Sequence, residues 1–435
     1  MRKMTGRPVN AMRAGMPARR IALRARWAFL LGLALLWVPA RLGGAEETQR
    51  PKIRAITAFV HIDRANYLDE IAGALKTLRQ ARADYEKQGY QVESIRITTQ
   101  PFTDYVSEMS HEEALQFLRR YDALAQRESF DANIGPALLK DSDDPSAAEL
   151  LGEVLSQTKT LEGSIIVADE DGIHWKSVHA AARVIRYLAE HSPRSQATFN
   201  FSATAMLAPY APFYPGSYHT GEGHRFAVGW EAANVVEEAF AGAPGNAPLA
   251  SERLIQALTP HAIAVERIAL QIERETGWTY MGLDATPVPL RDVSIGRAIE
   301  KYTDAKFGSS GTMTAVSIIT HAVAALPVKH VGYSGLMLPI MEDSLLAQRW
   351  SESAFSLDSI LAYSAVCGTG LDTIPLPGDV TEEQLERIIG DVASLAVKWH
   401  KPLSARLQPV KGKKAGDQTD FDDPFLVNTL IRPLP

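Results

Sequence analysis

The stretch KIRAITAFVHI (Lys52–Ile62), followed by YLDEIAGALKTLRQARADYEKQGY (Tyr67–Tyr90) and QVESIRITT (Gln91–Thr99), decides the fold class. The first run is mostly apolar and reads as a buried strand. In the second, Leu68, Ile71, Leu75 and Leu78 fall on one helical face. The third is again strand-like. SHEEALQFLRRYDALAQ (Ser110–Gln126) then opens a helix with Ser110 as cap and Glu113 at the capping-box position. GSIIVAD, QATFNFSATA, GWTYMGLDAT and PLSARLQPV supply further strands, separated by helical segments. Strands alternating with helices imply a mainly parallel sheet with right-handed crossovers. At 435 residues a single closed β/α barrel is plausible, with an open doubly wound parallel sheet as the alternative. Either arrangement gathers ligands at the carboxyl ends of its strands.

Composition narrows the partners. Hydrophobic residues make up 46% and charged residues 22% of the chain, an ordinary globular balance. A formal net charge of -6 gives no general attraction to nucleic acid. No G-x-G-x-x-G follows the first strand and no Walker loop occurs, so no nucleotide cofactor is expected. The chain begins with a basic region holding Arg2, Lys3, Arg7 and Arg13, then the apolar run WAFLLGLALLWVPA (Trp27–Ala40) and RLGGA. This order reads as a signal peptide over residues 1–45, ahead of one α/β domain over 46–435. The apolar run would span only ~21 Å as a helix, short for a bilayer. The expectation is an exported, periplasmic protein, with an inner-membrane anchor as the alternative and the membrane touched only by this segment. A single cysteine cannot form an intramolecular disulfide, so the fold rests on its core.

The densest candidate chemistry lies in YSAVCGTGLDTIPLPGD (Tyr363–Asp379). SLDSILAYSAV before it is helical in pattern, which puts Cys367 at a helix C-terminus with Gly368 as the C′ glycine. That end of a helix raises a thiol pKa, which disfavours a conventional thiolate nucleophile. Gly368, Thr369 and Gly370 form a loop whose amides suit an anion, while Asp372 and Asp379 suit a cation or a hydroxyl. Thr381 caps the next helix, with Gln384 completing a capping box. PFYPGSYHTGEGH carries His219, Glu222 and His224 at a spacing that permits imidazole and carboxylate ligation. Asp284 ends a strand in GLDATPVPL. Ser334 sits in GYSG, which lacks the spacing of a nucleophile elbow. Lys413 and Lys414 lie between glycines in PVKGKKAGD, in reach of an anionic ligand.

Taken together, KIRAITAFV, FNFSATA, PFYPGSYH, GLDATPVP, SIGRAIE, GYSGLMLPIMED, YSAVCGTGLDTIPLPGD, KPLSARL and GKKAGDQTDFDDP occur in the order that resembles the bacterial and archaeal family called domain of unknown function 711. The resemblance runs from Lys52 to the C-terminus. It implies a fold similar to the ten-stranded β/α barrel of pyruvate formate-lyase and the glycyl-radical enzymes. Cys367 is the residue that would match their loop cysteine. Their partner glycine follows the cysteine in a C-terminal R-V-x-G-Y-like loop, whereas HVGYSG here precedes Cys367 and the tail holds no counterpart. The resemblance therefore implies the barrel without the radical chemistry.

These readings converge on an enzyme acting on a small polar or anionic metabolite, by lyase, isomerase or redox chemistry. Cys367 or His219 would carry a proton, and Asp284 or Asp372 would orient it or hold a divalent cation. Gly368, Thr369, Gly370, Asp379, Ser334, Lys413 and Lys414 would contact the ligand. The alternative is an exported solute-binding protein that uses the same pocket without turnover. Assembly into a homo-oligomer is compatible with either.

Overall fold

The computed structural model describes residues 50–434, so the expected leader lies outside the described residues. Ten strands form one sheet: β1 (Lys52–Val60), β2 (Val92–Thr99), β3 (Asp131–Pro136), β4 (Leu161–Asp169), β5 (Gly172–Ile173), β6 (Phe201–Ala205), β7 (Arg225–Glu231), β8 (Thr279–Val288), β9 (Gly370–Pro377) and β10 (Leu403–Val410). The order across it is β8-β7-β1-β2-β3-β4-β6-β10-β9, with β5 pairing with β4 as a short antiparallel extension. Strands β1, β2, β3, β4 and β6 run parallel. The direction reverses at β1/β7 and at β6/β10, so β7, β8, β9 and β10 run the opposite way. The βα alternation of the first half thus gives the parallel block that the sequence predicts.

The helix Tyr67–Lys87 covers β1 and β2 with Ile71, Leu75 and Leu78, while Leu68 in its first turn is 53% exposed. Caps fall where the sequence puts them. Ser110 and Glu113 close a capping box on His111–Glu128, and Thr381 and Gln384 do the same on Glu382–Trp399. Two segments change character. GLDTIPLP is a fully buried strand, β9, instead of a loop. Its prolines are tolerated because β9 ends the strand order and pairs along one side with β10. The helix before Cys367 ends earlier than expected, at Ser364 with Ala365 as its cap. Gly368 is therefore no C′ glycine. A Cβ built on it would lie 2.6 Å from the Cα of Gly335, so two backbones touch there.

The segment around Lys329–Ile340 meets both terminal strands of the order. Leu283 in β8 donates its N–H to the Lys329 carbonyl at 2.8 Å, and Ile340 donates to the Asp372 carbonyl of β9 at 3.1 Å. Both contacts are parallel bridges, Leu283 with His330 and Asp372 with Pro339.

One face of the strands carries the apolar side chains that pack under the helices, such as Ile95, Ile97, Ile165 and Ala203. Alternate residues on the other face are polar: Arg96 and Thr98, Asp131 and Asn133, Glu162, Ser202, Ser404 and Arg406. In a simple antiparallel sheet such alternation marks a solvent face. Here the loop Pro212–His219 covers it. Thr57 Oγ donates to the Pro212 carbonyl at 2.9 Å, Thr98 Oγ meets Tyr214 Oη at 3.0 Å, and Asn133 Nδ2 donates to the Pro215 carbonyl at 2.7 Å.

Candidate active site

Beneath that loop the polar strand faces line a cavity of ≈150 Å³. Its chemistry is set by three arginines, each laid against an aromatic ring. The guanidinium of Arg54 lies 4.6 Å from the Phe425 ring centre, that of Arg96 4.8 Å from Tyr214, and that of Arg406 3.9 Å from Phe199. A flat, weakly hydrated guanidinium suits a ring face, and the stacking fixes its direction.

Carboxylates neutralise two of them. Glu342 accepts from Arg406 Nη1 at 3.0 Å and from Arg54 Nη2 at 3.4 Å, and Arg54 also meets Glu93 at 3.0 Å. Asp372 reaches Arg406 Nη1 at 3.5 Å, and Arg406 Nε donates to the Phe199 carbonyl at 2.9 Å. Arg96 is different. Its Nε donates to Ser94 Oγ at 3.0 Å and lies 3.7 Å from Asp131, but neither terminal nitrogen has a hydrogen-bond partner among the described residues.

Two carboxyls in the cavity are driven apart in acidity. Burial pushes Glu162 up to about 8, opposed by the charges of Arg406 and Arg96. Its side chain is half-buried against the cavity, and its Oε2 is buried without a partner. Burial pushes Asp372 up to about 6, with Arg406 opposing and the charge of Glu342 reinforcing the rise. At neutral pH Glu162 is a carboxylic acid with a proton to give, and Asp372 is mostly a carboxylate. Ser202 Oγ is also buried without a partner. Tyr333 Oη hydrogen-bonds Ser404 Oγ, and burial holds its phenol well above the usual range.

The expected site residues separate into those the cavity gathers and those it does not. Asp372 and Thr369 line it. Asp284 does not. Its Oδ1 accepts from Thr286 N, Thr286 Oγ and Ser334 N at 3.1, 2.6 and 3.0 Å, and its Oδ2 from Tyr333 N at 2.7 Å. It pins the backbone that carries Tyr333 and so positions a cavity residue. Ser334 Oγ turns away, donating to the Val331 carbonyl at 2.9 Å.

Cys367 is fully buried within the main apolar core, outside the cavity lining. Lys401 Nζ holds its carbonyl and donates to that of Ser364 at 2.8 Å. Gly368 and Gly370 serve packing: a Cβ on Gly370, at φ +94°, would lie 2.5 Å from the Ser404 carbonyl oxygen. Asp379, Lys413 and Lys414 lie outside the lining, beyond the ends of β9 and β10. Lys413 pairs with Asp420 at 3.5 Å.

The His219–Glu222–His224 spacing does not converge. His219 is fully buried, its N–H bonded to the Thr99 carbonyl at 3.0 Å and its ring nitrogens unpartnered. Burial lowers its pKa to about 4, with Arg225 adding to the drop; the nearby Gly221 backbone opposes it but is outside hydrogen-bonding geometry to the ring. His224 turns outward to Glu70 at 2.8 Å and stacks on Trp278. Among the described residues no group of three or more His, Cys, Asp and Glu side chains is arranged to hold a metal ion.

The cavity also lies elsewhere than expected. Asp131 begins β3, and Glu162 and Ser202 are the second residues of β4 and β6, so it opens at the amino ends of the parallel block. Glu342 falls in the GYSGLMLPIMED stretch, while Arg54, Arg96, Glu162 and Arg406 escape a search for loop motifs. Their signal is a charge inside a strand-like run, as in SIRIT and LSARL.

These features define an α/β protein with a charged cavity over the polar face of one mixed sheet. The chain belongs to the family described as uncharacterised ACR (DUF711), whose model matches residues 46–422. A UPF0210 protein of Pyrobaculum aerophilum is 34% identical over 293 residues, which cover 64% of this chain and 63% of that protein. One of Pyrobaculum arsenaticum is 29% identical over 351 residues, 77% of each chain. One of Acetivibrio thermocellus is 27% identical over 382 residues, 82% of this chain and 83% of the relative. The chain thus spans less than two thirds of the first relative's length and more than three quarters of the other two.

Proposed function

We propose that the protein is an enzyme that binds a small polar metabolite in this cavity and moves protons on it, as a lyase or isomerase does. Asp372 is the base and Glu162 the acid. The observation that carries the reading is the split acidity of two carboxyls that line the same cavity, about 6 and about 8. Titratable pairs pushed apart by their surroundings mark acid and base roles. Arg406 lies close enough to act on both and stabilises negative charge as it develops. A cavity of ≈150 Å³ suits a ligand of about six heavy atoms, since a cavity of that size takes a benzene.

We further propose that the Lys329–Ile340 segment joins β8 to β9, so that the sheet closes on itself as a barrel with two sets of strands running oppositely. The paired bridges to Leu283 and Asp372 support this. Closure would keep bulk water from the cavity and sustain both acidity shifts.

The test is incubation of a small-metabolite extract with the protein in D2O, read by mass spectrometry. The expected result is carbon-bound deuterium, or a new product, in one compound class, absent with Asp372→Asn and with Glu162→Gln. A ligand that binds the cavity yet neither exchanges nor changes would make the protein a binding protein instead.

A further inference from the structure

We propose that the ligand carries one carboxylate and that Arg96 holds it through its two terminal nitrogens, with Ser202 and Glu162 as the neighbouring donors. This rests on the reading of the cavity as the ligand site.

Buried polar groups are almost always hydrogen-bonded, so unpartnered ones in a cavity define what belongs there. Arg96 on β2, half-buried at the cavity, offers two terminal nitrogens with no hydrogen-bond partner among the described residues, on a guanidinium 4.8 Å from the Tyr214 ring centre. Ser202 on β6 is 1% exposed with its hydroxyl unpartnered, and Glu162 on β4 has an unpartnered Oε2. The order β2-β3-β4-β6 puts all three on adjoining stretches of one wall. Each of these groups donates, because Glu162 is protonated at neutral pH. Their complement is a group that only accepts, and a guanidinium fork matches a carboxylate in two parallel bonds.

Charge counting separates a carboxylate from a phosphate. Arg54 is neutralised by Glu93 and Glu342, and Arg406 by Glu342 and Asp372. Arg96 has only the long 3.7 Å contact to Asp131. Lys159 also lines the cavity, but Asp131, Glu342, Asp372 and Asp423 match the four cations there, which leaves no surplus of positive charge for the roughly −1.5 to −2 of a phosphate monoester. The charged groups facing Glu162 are Arg406 and Arg96, which favour its ionised form, and Asp131 and Asp423, which oppose it. Ionised Glu162 would repel the carboxylate, so binding should weaken as pH rises through about 8.

The experiment is titration calorimetry on the full chain with three probes: lactate, propane-1,2-diol, in which a hydroxymethyl group replaces the carboxylate, and inorganic phosphate. Lactate should bind wild type, and the diol should not. Arg96→Gln should weaken lactate at least tenfold, and Arg96→Lys by less. Lys414→Gln, at the surface, should leave affinity unchanged. Glu162→Gln keeps the size, and it should keep lactate binding while removing its decline above pH 8. Circular dichroism checks that each variant is folded; if Arg96→Gln is unfolded, Arg96→Lys and the pH profile of Glu162→Gln decide in its place. Phosphate binding more tightly than lactate would overturn the carboxylate assignment. Lactate binding that survives Arg96→Gln but fails with Arg406→Gln would overturn the role of Arg96 and leave the cavity as the ligand site. Failure of lactate to bind wild type would overturn the inference, while the deuterium experiment judges the proton-transfer reading separately.

Discussion

Glu342 is the residue through which the cavity's electrostatics is most sharply testable. It is 6% exposed and bridges two guanidiniums, Arg406 at 3.0 Å and Arg54 at 3.4 Å. Glu342→Gln keeps its volume and one acceptor oxygen while removing the charge. Because Glu342 and Asp372 share Arg406 Nη1 at 3.0 and 3.5 Å, their carboxylates lie close together. At a separation of about 6 Å and an effective dielectric of ~20, their repulsion is worth about 2.5 kcal/mol, close to two pH units on one carboxyl. Arg406 cancels part of it. The variant should therefore lower the Asp372 midpoint from about 6 by roughly one unit. Stranding a buried charge costs about 3–5 kcal/mol, but each arginine here keeps a second carboxylate. The stability loss should be about 2 kcal/mol, or about 2–3 °C in Tm for a domain of this size. The assay is 13C NMR of the side-chain carboxyl of Asp372 across pH 4–8, beside a melting curve. An unmoved midpoint in a folded variant would refute the idea that Glu342 helps to hold that proton.

Other outcomes follow from single contacts. Glu162 has a folded pKa raised to about 8, so its favourable contribution is complete below the ordinary value and is lost as pH rises through 8. Glu162→Gln should therefore gain Tm relative to wild type by about 2–4 °C between pH 5 and 8.5, and a constant difference would contradict this. Asp284→Ala strips acceptors from Thr286, Tyr333 and Ser334 and should cost about 3–5 kcal/mol. Limited proteolysis should then cut first near residues 330–340; unchanged resistance there would deny Asp284 its positioning role. Cys367 is fully buried, so its thiol should react with iodoacetamide only after denaturation. Cys367→Ser should cost about 1–2 kcal/mol for the buried hydroxyl and leave ligand affinity untouched; rapid alkylation of the native protein would return Cys367 to the site.

How much of this is legible in the sequence depends on how local each feature is. The parallel block is readable because β1, β2, β4 and β6 announce themselves as apolar or β-branched runs between amphipathic helices. The caps at Ser110 and Thr381 are readable because a capping box spans four residues. Strand β9 is hidden by its glycine and prolines, which an edge position tolerates and a sequence window does not reveal. β3 and β7 give no clear period, with Asp131, Asn133, Gly135 and Pro136 in the one and Arg225, Gly229 and Glu231 in the other. The cavity itself is the hardest part. Asp372 stands out through its glycine-rich neighbourhood, but Arg54, Arg96, Glu162 and Arg406 meet only through pairing of strands far apart in the chain, and no spacing records that. His219, Glu222 and His224 show the converse, neighbours in sequence that the loop turns to opposite sides.

A proton-bearing Glu162 and an ionised Asp372 should share one cavity at neutral pH, and infrared spectroscopy distinguishes the two forms of a carboxyl. The experiment is a difference spectrum between pH 5 and 9, with Glu162→Gln and Asp372→Asn assigning the bands. A protonated carboxyl band should persist past pH 7, vanish near pH 8 and be missing in Glu162→Gln. A second band should be lost near pH 6 and be missing in Asp372→Asn. Absence of both bands already at pH 5 would mean that the two carboxyls are ordinary and that no acid–base pair exists.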